Sequence, residues 1–83
     1  IKQLEIDTYF DKNKLESLNL VEFPQLEELK LSGFITCINI LEKVNYITLK
    51  KLDLCRNKIS NINVLEKVNF PNLQDLLFGY SFL

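Results

Sequence analysis

The sequence predicts an α/β solenoid, with short parallel strands on one side and 3₁₀ or short helical returns on the other. Three observations carry this expectation. The phrase I-N-I-L-E-K-V-N, over Ile38 to Asn45, recurs as I-N-V-L-E-K-V-N over Ile62 to Asn69, 24 positions later and with a single conservative change. Upstream of each phrase stands L-x-x-L-x-L, formed by Leu26, Leu29 and Leu31 and again by Leu49, Leu52 and Leu54. The segments that open at Leu15, Ile38 and Ile62 each run 11 residues to the start of the next L-x-x-L-x-L. Constant length marks a packed element, whereas the variation falls between strand and return, where a loop absorbs it.

Taken in order, the first repeat spans 1–25 and begins with Ile1, Leu4 and Ile6. The second spans 26–48, the third 49–72, and a partial fourth, 73–83, holds Leu73, Leu76 and Phe78. The starts are therefore 25, 23 and 24 residues apart. Residues four and six of each repeat alternate with period two, which predicts strands near 3–7, 28–32, 51–55 and 75–79. Leu4, Ile6, Leu29, Leu31, Leu52, Leu54, Leu76 and Phe78 are the expected inward positions. The returns, near 15–22, 38–45 and 62–69, space apolar residues three apart, as a 3₁₀ turn requires. Those residues are Leu15, Leu18 and Val21, then Ile38, Leu41 and Val44, then Ile62, Leu65 and Val68. Leu15 to Leu20 also spells L-x-x-L-x-L, but a strand there leaves only 11 residues to the next, too few for a full turn of the chain. Phe23-Pro24 matches Phe70-Pro71 and assigns this stretch to a return.

The third repeat, Leu49-x-x-Leu52-x-Leu54-x-x-Asn57-x-Ile59-x-x-Ile62-x-x-Leu65, resembles the leucine-rich repeat family. It is closest to the phosphatase-regulator-like and internalin-like class, with repeats of about 22–25 residues. The resemblance covers essentially the whole chain. It implies a right-handed superhelix with a concave parallel sheet and convex returns, and a role in protein–protein interaction. The family's asparagine at the turn after the strand is present as Asn57 alone; Tyr9, Phe34 and Ser81 stand at the matching places.

Composition narrows the function classes. Eighty-three residues make one small domain with a thin core. A hydrophobic fraction of 47% is too high for disorder. The net charge is −1 and the longest basic run is Lys50-Lys51, so the chain lacks a nucleic-acid footprint. No apolar run approaches a membrane span of about 18 residues. Two cysteines, Cys37 and Cys55, with no N-x-S/T among nine asparagines, favour a reducing, intracellular setting and no disulfide. The chain begins at Ile1 and contains no Met, which reads as a piece of something longer. No cap is evident at either end of the repeats, which predicts self-association through open ends or modest stability.

No enzyme is expected. The chain has no histidine, which removes Ser-His-Asp and Cys-His catalysis and the commonest zinc ligand. Asp7, Glu28, Asp53 and Asp75 are interleaved with lysines that keep carboxyls ionised, so a glycosidase pair is not expected either. No cofactor or metal is implied.

The outward strand positions define the expected surface. Position three supplies Gln3, Glu28, Lys51 and Asp75; position five supplies Glu5, Lys30, Asp53 and Leu77; position seven supplies Asp7, Ser32, Cys55 and Gly79. Two rows alternate in sign, Glu28–Lys51–Asp75 and Glu5–Lys30–Asp53. They serve either as cross-strand ladders or as a recognition surface. Cys55 is read first as an incidental cysteine on the sheet; the alternative is a thiol made somewhat reactive by the Arg56 guanidinium beside it. Leu77, with Arg56 and Tyr80 beside it, has the composition of an interface hot spot. The partner-binding candidates are thus Glu28, Lys30, Lys51, Asp53, Cys55, Arg56, Leu77 and Tyr80. The leading function is a protein-recognition module. The alternative is a structural spacer or regulatory segment of a larger multidomain protein.

Overall fold

The computed structural model describes residues 1–79. Four strands, β1 (Gln3–Asp7), β2 (Glu28–Ser32), β3 (Lys51–Asp53) and β4 (Asp75–Leu77), alternate with three 3₁₀ helices, η1 (Lys12–Asn19), η2 (Asn39–Lys43) and η3 (Asn63–Glu66). The strands form one parallel sheet in the order β1-β2-β3-β4. Leu15 to Leu20 falls on η1 and the residue after it, as the match of Phe23-Pro24 with Phe70-Pro71 requires.

The register follows from the leucines. Leu4 pairs with Leu29, Leu29 with Leu52, and Leu52 with Leu76, so equivalent positions of successive repeats lie side by side. Because side chains alternate along a strand, this register sends one set to the interior and the other to solvent. Leu26, Leu31, Leu41, Leu49, Leu52, Leu54 and Ile59 are fully enclosed, and Leu29 and Ile38 nearly so. Full burial of one such side chain is worth about 1.5–3 kcal/mol.

Burial weakens away from the middle repeats. Leu4 and Phe78 are only half-buried and Leu76 is 40% exposed, although all three occupy inward positions. Val21 and Ile62 are exposed too, whereas Ile38 and Val44 in the middle return are buried. Val64 takes the buried place in the last return. Among the described residues the middle return packs between two others, whereas the outer returns each meet one. An apolar side chain without a neighbour on one flank stays in contact with water.

β3 and β4 stop at Asp53 and Leu77, two residues short of the expected ends. The carboxylate Oδ1 of Asp53 accepts the Cys55 N–H at 3.0 Å and turns the backbone there. Backbone pairing still continues past the strands, with Leu54 N–H donating to Leu77 O at 2.8 Å and Arg56 N–H to Gly79 O at 3.2 Å.

A three-ring stack closes the opposite end of each repeat. Phe23, Tyr46 and Phe70 each precede a repeat start by three residues. The carbonyl of each accepts a hydrogen bond from that leucine: Leu26 to Phe23, Leu49 to Tyr46, Leu73 to Phe70, at 3.1–3.2 Å. Pro24 and Pro71 follow the ring, where a fixed φ suits the second position of a turn. Tyr46 lies 5.9 Å from Phe70 in a stacked arrangement and 6.5 Å from Phe23 in a tilted one. Thr48 Oγ1 donates to Leu26 O at 2.7 Å and Asn72 Nδ2 to Ile47 O at 2.6 Å, tying each turn to the one before. Asn69 Nδ2 likewise donates to Asn45 Oδ1.

Tyr46 carries a cost within this stack. Its hydroxyl is enclosed and has no hydrogen-bond partner, while its two neighbours are phenylalanines. Burial pushes its pKa up to about 12. The unfolded chain ionises it near the ordinary value of about 10. Between pH 10 and 12 the unfolded chain therefore sheds a proton that the folded chain keeps, and stability falls as pH rises. The slope is at most about 1.4 kcal/mol per pH unit. Tyr46→Phe is expected to raise stability by about 1 kcal/mol at neutral pH, since the unpaired hydroxyl is gone. It also removes this part of the alkaline decline, which denaturant titrations at pH 7 and pH 11 measure.

Candidate functional site

The sheet register builds the outward rows residue by residue. Gln3, Glu28, Lys51 and Asp75 line up across the four strands, as do Glu5, Lys30, Asp53 and Leu77. Both charged rows thus have the neighbours that the repeat alignment assigns to them. Lys30 Nζ lies 3.9 Å from a Glu5 carboxylate oxygen. Burial alone acts to raise the Asp53 pKa, but hydrogen bonds from Cys55 and the positive charges of Lys30 and Lys51 outweigh it and hold the carboxyl below its ordinary value. Asp53 therefore stays ionised and shares the positive field of both lysines.

These contacts are exposed and contribute little to stability. A surface ion pair is worth about 0–1 kcal/mol and is screened by salt. Lys30→Glu places a third carboxylate between Glu5 and Asp53, and is expected to cost about 1 kcal/mol at low ionic strength. In about 1 M salt, where screening acts over some 3 Å, the cost should vanish. Thermal melts at the two ionic strengths check this.

A third charged row lies at the entrance to the strands. Glu27 reaches Lys2 at 3.9 Å and Lys50 at 3.7 Å, one carboxylate between two cations. The backbone is stitched at the same place: Glu27 and Glu28 N–H both donate to Lys2 O, and Lys50 and Lys51 N–H to Glu27 O. Its signal was present in the alternating signs of Lys2, Glu27 and Lys50, at repeat position two, outside the outward positions three, five and seven.

Cys55 does not have the lowered pKa of an activated thiol. Its thiol pKa is raised, first by a hydrogen bond with Asp53, then by burial and the Asp53 charge. The nearest determinant is thus a carboxylate two residues earlier rather than the guanidinium of Arg56. A raised pKa keeps the sulfur protonated and unreactive. Cys37 and Cys55 are both free thiols.

Arg56 sits beyond the end of β3 in a left-handed turn, φ 62°, and is exposed. Its carbonyl accepts the Phe34 N–H at 3.3 Å. Leu77 closes the position-five row at 39% exposure. Tyr80, the remaining candidate, lies outside the described residues. The structure thus brings Glu28, Lys30, Lys51, Asp53 and Cys55 onto one face with Leu77 at its end, and sets Arg56 at the rim. Among the described residues no three carboxylates or thiols converge as metal ligands would, and no helix is long and apolar enough to cross a membrane.

No family model, curated protein or solved structure matches the chain. Geometry and chemistry alone therefore carry the functional reading.

Exposed apolar residues concentrate elsewhere than on the charged face. Tyr9, Phe10 and Phe34 project from the loops that leave β1 and β2. Tyr9 and Phe34 meet edge to face at 4.9 Å, and Lys58 Nζ lies 5.3 Å from the Phe34 ring centre. Sequence reasoning treated Tyr9 and Phe34 as irregular turn residues. Their common signal was an aromatic at repeat position nine in two successive repeats.

Proposed function

We propose that the chain is a protein-recognition unit of the leucine-rich-repeat type, a right-handed solenoid whose sheet forms the concave, partner-facing side. The observation that carries this reading is the division of labour along the strands of the two middle repeats. Alternate residues Leu29, Leu31, Leu52 and Leu54 are enclosed, while Glu28, Lys30, Lys51 and Asp53 on the same strands remain accessible to solvent. The accessible set can change without disturbing the core, which is why repeat sheets suit recognition. Alternating charge in register favours specificity and orientation over raw affinity. The exposed Tyr9, Phe10 and Phe34 supply the apolar contact that a purely polar face lacks.

Photo-cross-linking from within cells tests the reading. A photoreactive residue at Lys51, on the sheet face, should give one discrete protein adduct. The same residue at Lys67, after η3 on the return side, should not. Equal labelling from both positions, or labelling from Lys67 alone, would contradict the assignment of the sheet as the recognition side.

A further inference from the structure

We infer that the cleft between the first two strand-exit loops is a second docking site, built for an apolar side chain followed by carboxylates on a protein partner. This rests on the protein-recognition reading and adds to it a place and a ligand chemistry away from the sheet face. The cleft is open to solvent on one side and measures about 660 Å³, within the 300–1,000 Å³ range of small-molecule sites. Buried Leu15 and Ile35 lie at its base, and exposed Tyr9 and Phe34 form a wall. Phe10, next in sequence to Tyr9, is fully exposed.

The wall is fixed before any partner arrives. Tyr9 N–H donates to Asp7 Oδ1 at 2.8 Å, and Thr8 N–H to Ser32 O at 2.9 Å, so the first loop is tied to the second. Phe34 is held at φ 61°, a conformation that bulky residues rarely adopt. Backbone strain of this kind persists where the surroundings over-determine it, and it concentrates at ligand clamps. An aromatic pair already in place loses little freedom on binding.

Charge selects the occupant. Lys43, Lys58 and Glu16 line the cleft, two cations against one carboxylate, in a chain whose net charge is −1. Among the described residues the ion pairs are Lys2–Glu27, Lys30–Glu5 and Lys50–Glu27, so neither Lys43 nor Lys58 is in an ion pair with a carboxylate of those residues. Lys58 instead covers the Phe34 ring, which places its charge beside the apolar wall. An apolar side chain on that wall puts the next residue of its own chain within reach of the lysines, where a carboxylate is favoured and a cation repelled.

The test is a titration of the full chain, labelled with ¹⁵N, with two capped pentapeptides, Gly-Phe-Asp-Asp-Gly and Gly-Phe-Lys-Lys-Gly. The acidic peptide should shift the amides of Tyr9, Phe34, Thr36 and Lys58 in the millimolar range. The basic peptide should bind about fivefold more weakly or less, the scale of one or two exposed ion pairs. Lys58→Ala should narrow the difference between the peptides, and Phe34→Ala should weaken both, while Lys67→Ala, on the return side, leaves both unchanged. Comparing peptides on the parent chain keeps the result independent of how the variants fold. Equal affinity for the two peptides, or no shift with either, would overturn the proposal. Shifts confined to Lys30, Lys51 and Asp53 would also overturn it, while leaving the sheet-face reading intact.

Discussion

Gly33→Ala is expected to destabilise the fold by about 3–5 kcal/mol, enough to unfold much of a small domain. A Cβ at Gly33 would stand 2.7 Å from Thr8 N, Thr8 Oγ1 and Tyr9 N. Two of these are backbone atoms, which cannot swing aside as a side-chain tip does. The residue also sits at φ +114°, where a Cβ is strained whatever the space. Close approach is required there because Thr8 Oγ1 donates to Ser32 O at 3.2 Å and Gly33 O at 3.1 Å, joining the first loop to the second. Gly79→Ala provides the control. Among the described residues its added Cβ would meet the Cys55 sulfur, at 3.4 Å, an ordinary contact, and the cost should stay below about 1 kcal/mol. Urea denaturation of the two variants measures the difference.

Asn57→Ala is expected to cost about 3–4 kcal/mol, the sum of several buried hydrogen bonds lost and a donor left without an acceptor. The side chain is fully enclosed. Its Nδ2 donates to Leu31 O at 2.8 Å and Leu54 O at 2.9 Å, and its Oδ1 accepts the Ile35 N–H at 3.1 Å. A single amide thus serves a strand end on each of two repeats and the loop between them. Asn57→Asp keeps the acceptor but replaces the Nδ2 donor with a buried charge facing two carbonyls, so it should be no milder than alanine. Asn57→Ser keeps one short donor and should recover only a small part of the loss. Denaturant midpoints of the three variants rank them directly.

Much of the scaffold was legible because the inner and outer positions of a strand repeat with period two. Leu29, Leu31, Leu52 and Leu54 could be placed inside without knowing the turns, and the cross-strand partners of Glu28 and Lys30 followed from aligning the repeats. Legibility failed where one repeat differs from its neighbour. The second repeat is one residue shorter than the third between strand and return. A direct match sets Phe34 against Asn57, and Phe34 N–H bonds to Arg56 O as parallel pairing in that register requires, while the Asn57 side chain is met by the Ile35 N–H. Positive φ at Gly33 and Phe34 accompanies this shorter loop, and the Phe34 ring lies beside Tyr9. Periodicity is silent on such a kink, so the aromatic wall could not be read from the repeat. Burial at the outer repeats was misjudged for a different reason. Leu76 and Ile62 fit the inward pattern, but the pattern does not say whether a neighbour lies on both flanks.

The central claim is that the residues that hold the fold and those that recognise a partner are different residues of the same strands. It is tested most directly by the yield of the Lys51 photo-adduct after its neighbours on the sheet face are neutralised by Glu28→Gln, Lys30→Gln and Asp53→Asn. Asp53→Asn retains an Oδ1 to accept the Cys55 N–H, and none of the three changes enters the core. The adduct should fall about tenfold or more, as when the charged contacts of an interface are lost, while the unfolding free energy changes by no more than about 1 kcal/mol. An adduct formed in full by the neutralised face, or a collapse of stability with the charges gone, would contradict the claim.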